Sequence, residues 1–200
     1  MAGALPAIAA TSGEAKAASG PETASASGAK AARGDPAGST LSGPQAVTLT
    51  VNVNDTARTL QAEPRMTLAE ALRGPLGLTG TKIACNRGAC SACTVWLDGA
   101  PVCSCMMLAV DVGTRRVTTI EGLAHGDTLH PVQQAFIEHD ALQCGFCTPG
   151  MVMSCAALLG HTPNPTAADV KAAISGHYCR CGTYPHVVAA TLAAAGARKE

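Results

Sequence analysis

Two hundred residues fit one or two small domains, and 47% hydrophobic content with 14% charge is ordinary for a chain able to bury a core. Its 14 basic and 14 acidic residues cancel, so no broad field draws it to nucleic acid or to an anionic membrane, and partners are expected to be recognised by shape. No apolar run approaches the roughly 20 residues of a membrane-spanning helix, so no membrane insertion is expected.

Residues 1–46 are dominated by Ala, Gly, Ser, Thr and Pro without periodicity, which predicts a disordered tail. The first ten are apolar with small residues. They read either as part of that tail in a cytoplasmic protein or as the end of a truncated twin-arginine export signal, which would make the protein periplasmic. Folding signals begin at Val47. Alternation in V-T-L-T-V-N-V puts Val47, Leu49, Val51 and Val53 on one face of a strand, Asn54-Asp55 reads as a turn, and residues 57–62 as the returning strand. Thr67-Leu-Ala-Glu70 is a capping box for a short helix that Gly74-Pro75 ends. A small-residue loop over 85–93 follows, then T-V-W-L as a strand, an Asp98-Gly99 turn, P-V-C-S-C as its return, and a last strand near Ile120. Two hairpins and a helix are the content of a small β-grasp domain, assigned to residues 47–122.

From Asp127 the period becomes helical. Thr128 with Pro131, Thr148-Pro149, the Thr166–Asp169 cap and Pro185 are expected to start four helices; Gly160 with Pro163 should end the second and Gly176 the third. Residues 127–197 therefore read as a four-helix bundle, and the whole as α+β.

Ten cysteines are the compositional outlier, grouped as C-x4-C-x2-C, C-x2-C and C-x-C. Such spacing suits metal ligation better than a disulfide scaffold. Cys85, Cys90 and Cys93, followed after eleven residues by Cys105, form the plant-type ferredoxin array for a [2Fe-2S] cluster. Cys103, on the same predicted strand face as Cys105, is the rival fourth ligand. Cys144, Cys147, Cys179 and Cys181 form a second set that fits a cluster or a zinc ion. The loop's glycines, with Gly88 as the left-handed turn, would aim backbone donors at an anionic cluster, and helices starting after Cys147 and Cys181 would aim their positive ends at the second. Cys155 reads as a small buried hydrophobe, Met106, Met107, Met151 and Met153 as packing residues, and each histidine as a surface or capping residue rather than a ligand.

The motifs G-T-K-I-A-C-N-R-G-A-C-S-A-C-T-V-W-L-D-G, E-G-L, Q-C-G-F-C-T-P-G-M, P-N-P-T and C-R-C-G-T-Y, with 31 residues between Cys147 and Cys179, resemble the small iron–sulfur subunit of the molybdenum hydroxylases, the xanthine oxidase and aldehyde oxidoreductase family. The resemblance covers residues 47–195. It implies a plant-type ferredoxin domain with one [2Fe-2S] cluster, then a helical domain with a second, and favours Cys105 over Cys103, which stands where relatives commonly carry Asn. It also implies that Gln143 contacts the molybdopterin of a large partner subunit. Electrons would pass from that centre, through the 144/147/179/181 cluster and then the 85/90/93/105 cluster, to FAD on a medium partner subunit or to an external acceptor. Substrate chemistry, on aldehydes or N-heterocycles, would belong to the large partner; no catalytic residue is assigned to this chain, which carries no nucleophile–base constellation and no G-x-G-x-x-G. Two features depart from the family. Ser91 replaces a usual Gly, which is expected to be tolerated at negative φ, and His177-Tyr178 replaces a common Asn-Leu, altering the surroundings of the second site. The competing readings are a free-standing two-cluster ferredoxin and a structural zinc protein.

Overall fold

A computed structural model describes residues 45–197, all within one compact unit, Thr40–Glu200. The expectations of a tail over 1–46 and of an export signal over 1–10 fall almost wholly outside the described residues. Strands β1 (Val47–Val53) and β2 (Thr56–Ala62) pair antiparallel, with Val47 opposite Ala62 and Val53 opposite Thr56. Asn54 and Asp55, at φ 52° and 57°, supply the left-handed pair that a two-residue hairpin turn needs. The capping box starts α1 (Leu68–Arg73): Thr67 Oγ1 accepts from Glu70 N at 3.2 Å, and the Glu70 carboxylate accepts from Thr67 N at 2.8 Å. With β3 (Thr94–Leu97), β4 (Ala100–Cys103) and β5 (Arg116–Thr118) the sheet runs β2-β1-β5-β3-β4, its one parallel pair being β1 with β5. Leu68 and Leu72 of α1 bury against Val51, Val53, Val95 and Val117 of that sheet.

The last strand is shorter than V-T-T-I suggests. Thr119 leaves the ladder because its N–H donates to Asn54 Oδ1 at 2.9 Å and its hydroxyl accepts from Asn54 Nδ2 at 3.0 Å. P-V-C-S-C likewise is not one strand: β4 stops at Cys103, and Ser104–Met106 winds into a 3₁₀ turn. Buried Ser104 causes this, its hydroxyl donating to Cys93 O at 2.7 Å and its N–H to the same oxygen at 3.3 Å. Cys105 is thereby turned inward, and the expectation that it shares a strand face with Cys103 is corrected.

Four helices follow: α2 (Pro131–Glu138), α3 (Thr148–His161), α4 (Ala167–Ala173) and α5 (Tyr184–Ala197). The cap of α2 is His130, whose Nδ1 accepts from Val132 N at 3.2 Å, rather than Thr128. Gly160 lies inside α3, which runs on to His161, and α4 ends at Ala173 before it reaches Gly176. Met151, Met153, Cys155 and Leu159 of α3 are fully buried. A helix apolar on every side must be covered on every side, and α3 meets β3 and β4 as well as α2, α4 and α5. Two contacts fasten it to the sheet. Trp96 Nε1 donates to Met153 O at 2.9 Å, and Gly150 passes so close that a Cβ there would stand 2.4 Å from Ser91 O. Among the described residues no helix is long and apolar enough to cross a membrane.

Candidate metal centres

The loop over 85–93 curls because Asn86, Gly88 and Ser91 all take left-handed backbone, at φ 50°, 72° and 54°. Curling turns backbone donors onto sulfur: Gly88 N–H reaches Cys105 Sγ and Ala89 N–H reaches Cys85 Sγ, each at 3.3 Å. Gly88 is left-handed as its sequence context predicts, and a Cβ there would also meet Met106 Cγ at 2.8 Å. Met106, though 66% exposed, packs under Gly88, whereas Met151 and Met153 are buried in the core. Ser91 departs from expectation too, because its φ is positive. Replacing it with Gly should relieve left-handed strain and stabilise the chain by about 1 kcal/mol, read as a higher denaturation midpoint.

The thiols meet in twos. Cys85 lies within hydrogen-bonding reach of Cys90, and Cys105 of Cys93. In the helical half Cys147 meets Cys179, and Cys144 meets Cys181. The backbone donor of Arg87, followed by the Cys90 thiol, holds Cys85 down at about 7, while burial pushes Cys105 up to about 11. Burial likewise pushes Cys147 up to about 12; at Cys179 burial acts the same way, but the Thr183 hydroxyl and N–H and the Cys147 thiol outweigh it and bring the group to about 7. Cys147 is the N-cap residue of α3. At the head of α5 the Thr183 groups serve Cys179 of the same set, with Oγ1 3.3 Å from the sulfur.

Among the described residues, no three Cys, His, Asp or Glu side chains enclose a point suited to one metal ion. Structural zinc takes four ligands on a single atom. A binuclear iron–sulfur cluster instead takes two thiolates on each of two irons, and at each site the four thiols lie in two close pairs that also act on each other, Cys85 on Cys105, Cys144 on Cys147 and Cys179 on Cys181. The donor set fits as well, since thiolates with backbone N–H groups aimed at them suit a soft, anionic cluster.

The remaining cysteines and histidines sort by environment. Cys103 is half-buried with Ser91 Oγ 3.9 Å from its sulfur, and Cys155 is buried within α3. His177 overturns its reading as a surface or capping residue: it is 4% exposed, its Nε2 sits 2.7 Å from Ser154 Oγ, and burial holds it neutral, at about 4. Gln143 is exposed beside the exposed Cys144. One contact joins the two thiol sites that sequence reading missed: Tyr178 N–H, next to Cys179, donates to Cys90 O at 3.3 Å. Nothing local signals a bond between segments so far apart in the chain.

The profile of a 2Fe-2S iron-sulfur cluster binding domain matches residues 51–119, and that of a [2Fe-2S] binding domain matches residues 119–192. The nicotine 6-hydroxylase small subunit of Paenarthrobacter nicotinovorans is 46% identical over 79% of this chain and 95% of its own length. The chain belongs to the small iron–sulfur subunits of the molybdenum hydroxylases. Another relative of this small subunit is the aldehyde oxidoreductase iron-sulfur-binding subunit of Escherichia coli, 42% identical over 76% of this chain and 73% of that one. The crystal structure of quinoline 2-oxidoreductase from Pseudomonas putida 86 superposes with a TM-score of 0.75 at 42% identity, covering 78% of this chain and 97% of that chain. The small subunit thus carries two [2Fe-2S]-binding domains and is the electron-transfer subunit of an oxidoreductase complex. Cys103, Ser91, Ser154 and His177 line a small cleft between the loop over 85–93 and α3.

Proposed function

We propose that Cys85, Cys90, Cys93 and Cys105 hold one [2Fe-2S] cluster and that Cys144, Cys147, Cys179 and Cys181 hold the second. The observation that carries this reading is the meeting of eight thiols as four pairs, two pairs at each site. A bound cluster of this type takes up and gives out one electron at a time. The chain's own residues supply the setting. Gly88 and Ala89 N–H groups stabilise negative sulfur, burial of Cys93 and Cys105 keeps water from one pair, and the N-terminus of α3 presents its positive end beside Cys147. The Cys90–Tyr178 bond supports treating the sites as consecutive stations, since it leaves little more than backbone between their ligands.

The central parallel β1–β5 pair with α1 packed on the sheet supports a β-grasp, plant-type ferredoxin domain over residues 47–122. An apolar core shared by α2, α3 and α5, joined by Ile174 at the end of α4, supports a four-helix-bundle domain over 127–197. Gln143, exposed beside Cys144, is read as the molybdopterin contact of a large partner subunit, and the 85–105 site as the exit towards a medium, FAD-binding partner. Aldehydes or N-heterocycles are the substrate class, in line with relatives named for nicotine, aldehydes and quinoline. The compartment is read as the cytoplasm, with the periplasm as the alternative if residues 1–10 end a twin-arginine signal.

Iron and sulfide analysis of the purified chain with its co-purifying partners tests the reading. A chain isolated alone with full iron would favour the free ferredoxin instead, and zinc without visible absorption the structural protein. Cys103→Ser should retain both clusters, because Cys105, not Cys103, faces Cys93 and the Gly88 N–H. Loss of the ferredoxin-type EPR signal in that variant would move the fourth ligand to Cys103.

A further inference from the structure

We propose that Tyr184 is a positioning residue, its hydroxyl fixing the Tyr178–Cys90 backbone bridge between the two thiol sites. Tyr184 opens α5, and its Oη does two things at once: it donates to His177 O at 2.9 Å and accepts from Cys179 N–H at 2.8 Å. Those two groups flank Tyr178, whose N–H donates to Cys90 O at 3.3 Å. The Tyr178 side chain is 66% exposed, so packing of that ring does not set where its N–H points. The neighbours set it. On one side the buried His177 ring is moored to Ser154 Oγ of α3 at 2.7 Å, and on both sides the backbone is held by a single phenol oxygen. At 3.3 Å the bridge is already near the long end of a hydrogen bond, so a small drift of residues 177–179 breaks it. The Tyr184 ring packs against the helical core, and phenylalanine keeps that packing while removing only the hydroxyl.

The inference rests on the two-cluster reading above, and Tyr184→Phe in the full chain separates the two. Iron content should be unchanged. Hydrogen exchange at the Tyr178 and Cys179 amides should speed up about tenfold, and the magnetic interaction between the two reduced clusters, seen as splitting in low-temperature EPR, should weaken. Unchanged exchange and unchanged splitting in an iron-replete variant overturn the clamp alone, whereas wild-type chain without iron overturns the cluster reading and leaves the amide measurement standing. Should the variant fail to fold, the wild-type chain decides. Protected Tyr178 and Cys179 amides support the clamp, and exchange at the rate of unprotected loop amides overturns it.

Discussion

Serine in place of Cys93 is expected to remove about half the iron while leaving the EPR signal of the helical half intact, and serine in place of Cys147 to do the reverse. Cys93 is 3% exposed and faces Cys105 beside Ala69. A serine hydroxyl there is a harder, weaker ligand for iron, and the buried site offers it little hydration in compensation. The Cys147 change is the cleaner of the two. Cys147 occupies the N-cap of α3 and makes no side-chain capping bond, whereas serine is among the favoured N-cap residues. The helix should survive, so the loss reads out metal binding rather than folding. Iron analysis with EPR on the reduced proteins checks both variants, and equal loss of both signals from either change would contradict separate sites.

Alanine in place of Gly150 should destabilise the chain by about 1–3 kcal/mol or more, seen as a fall of several degrees in Tm. Helix propensity alone points the other way, since Gly to Ala inside a helix is worth about 1 kcal/mol of stabilisation. The sign therefore tests the packing. A Cβ at 150 would stand 2.4 Å from Ser91 O, 3.2 Å from Ala92 Cα and 3.3 Å from Ala92 C, all of them backbone. No rotamer change relieves such a contact, so α3 or the loop over 85–93 must move. Both carry candidate ligands, Cys147 at the head of α3 and Cys90 and Cys93 in the loop. The variant should accordingly also weaken the Tyr178–Cys90 bridge.

Where local chemistry decides, the sequence is a good guide. The Thr67–Glu70 box, the Asn54-Asp55 and Asp98-Gly99 turns and the left-handed Gly88 each follow from residues within a few positions of one another. Pro131 at the first helical position also marked residue 130 as the cap, a signal that the attraction of Thr128 as a capping residue obscured. Distant partners decide the rest. His177, in the loop between α4 and α5, is buried where Ser154 of α3 offers a hydroxyl. Cys105 leaves the strand because Ser104 finds the carbonyl of Cys93. Ser91 accepts a positive φ in a position where its carbonyl receives both the N–H and the hydroxyl of Thr94, at 3.2 and 2.7 Å. Cysteine spacing proposes the two sets of four, but which sulfur faces which is written in tertiary structure.

Low-temperature EPR of the reduced protein, with iron and sulfide analysis of the same sample, tests the central claim most directly. Two distinct signals, each of about one spin per chain, with about four irons and four sulfides per chain, are expected. Zinc in place of iron, or a single signal with about two irons per chain, would contradict it.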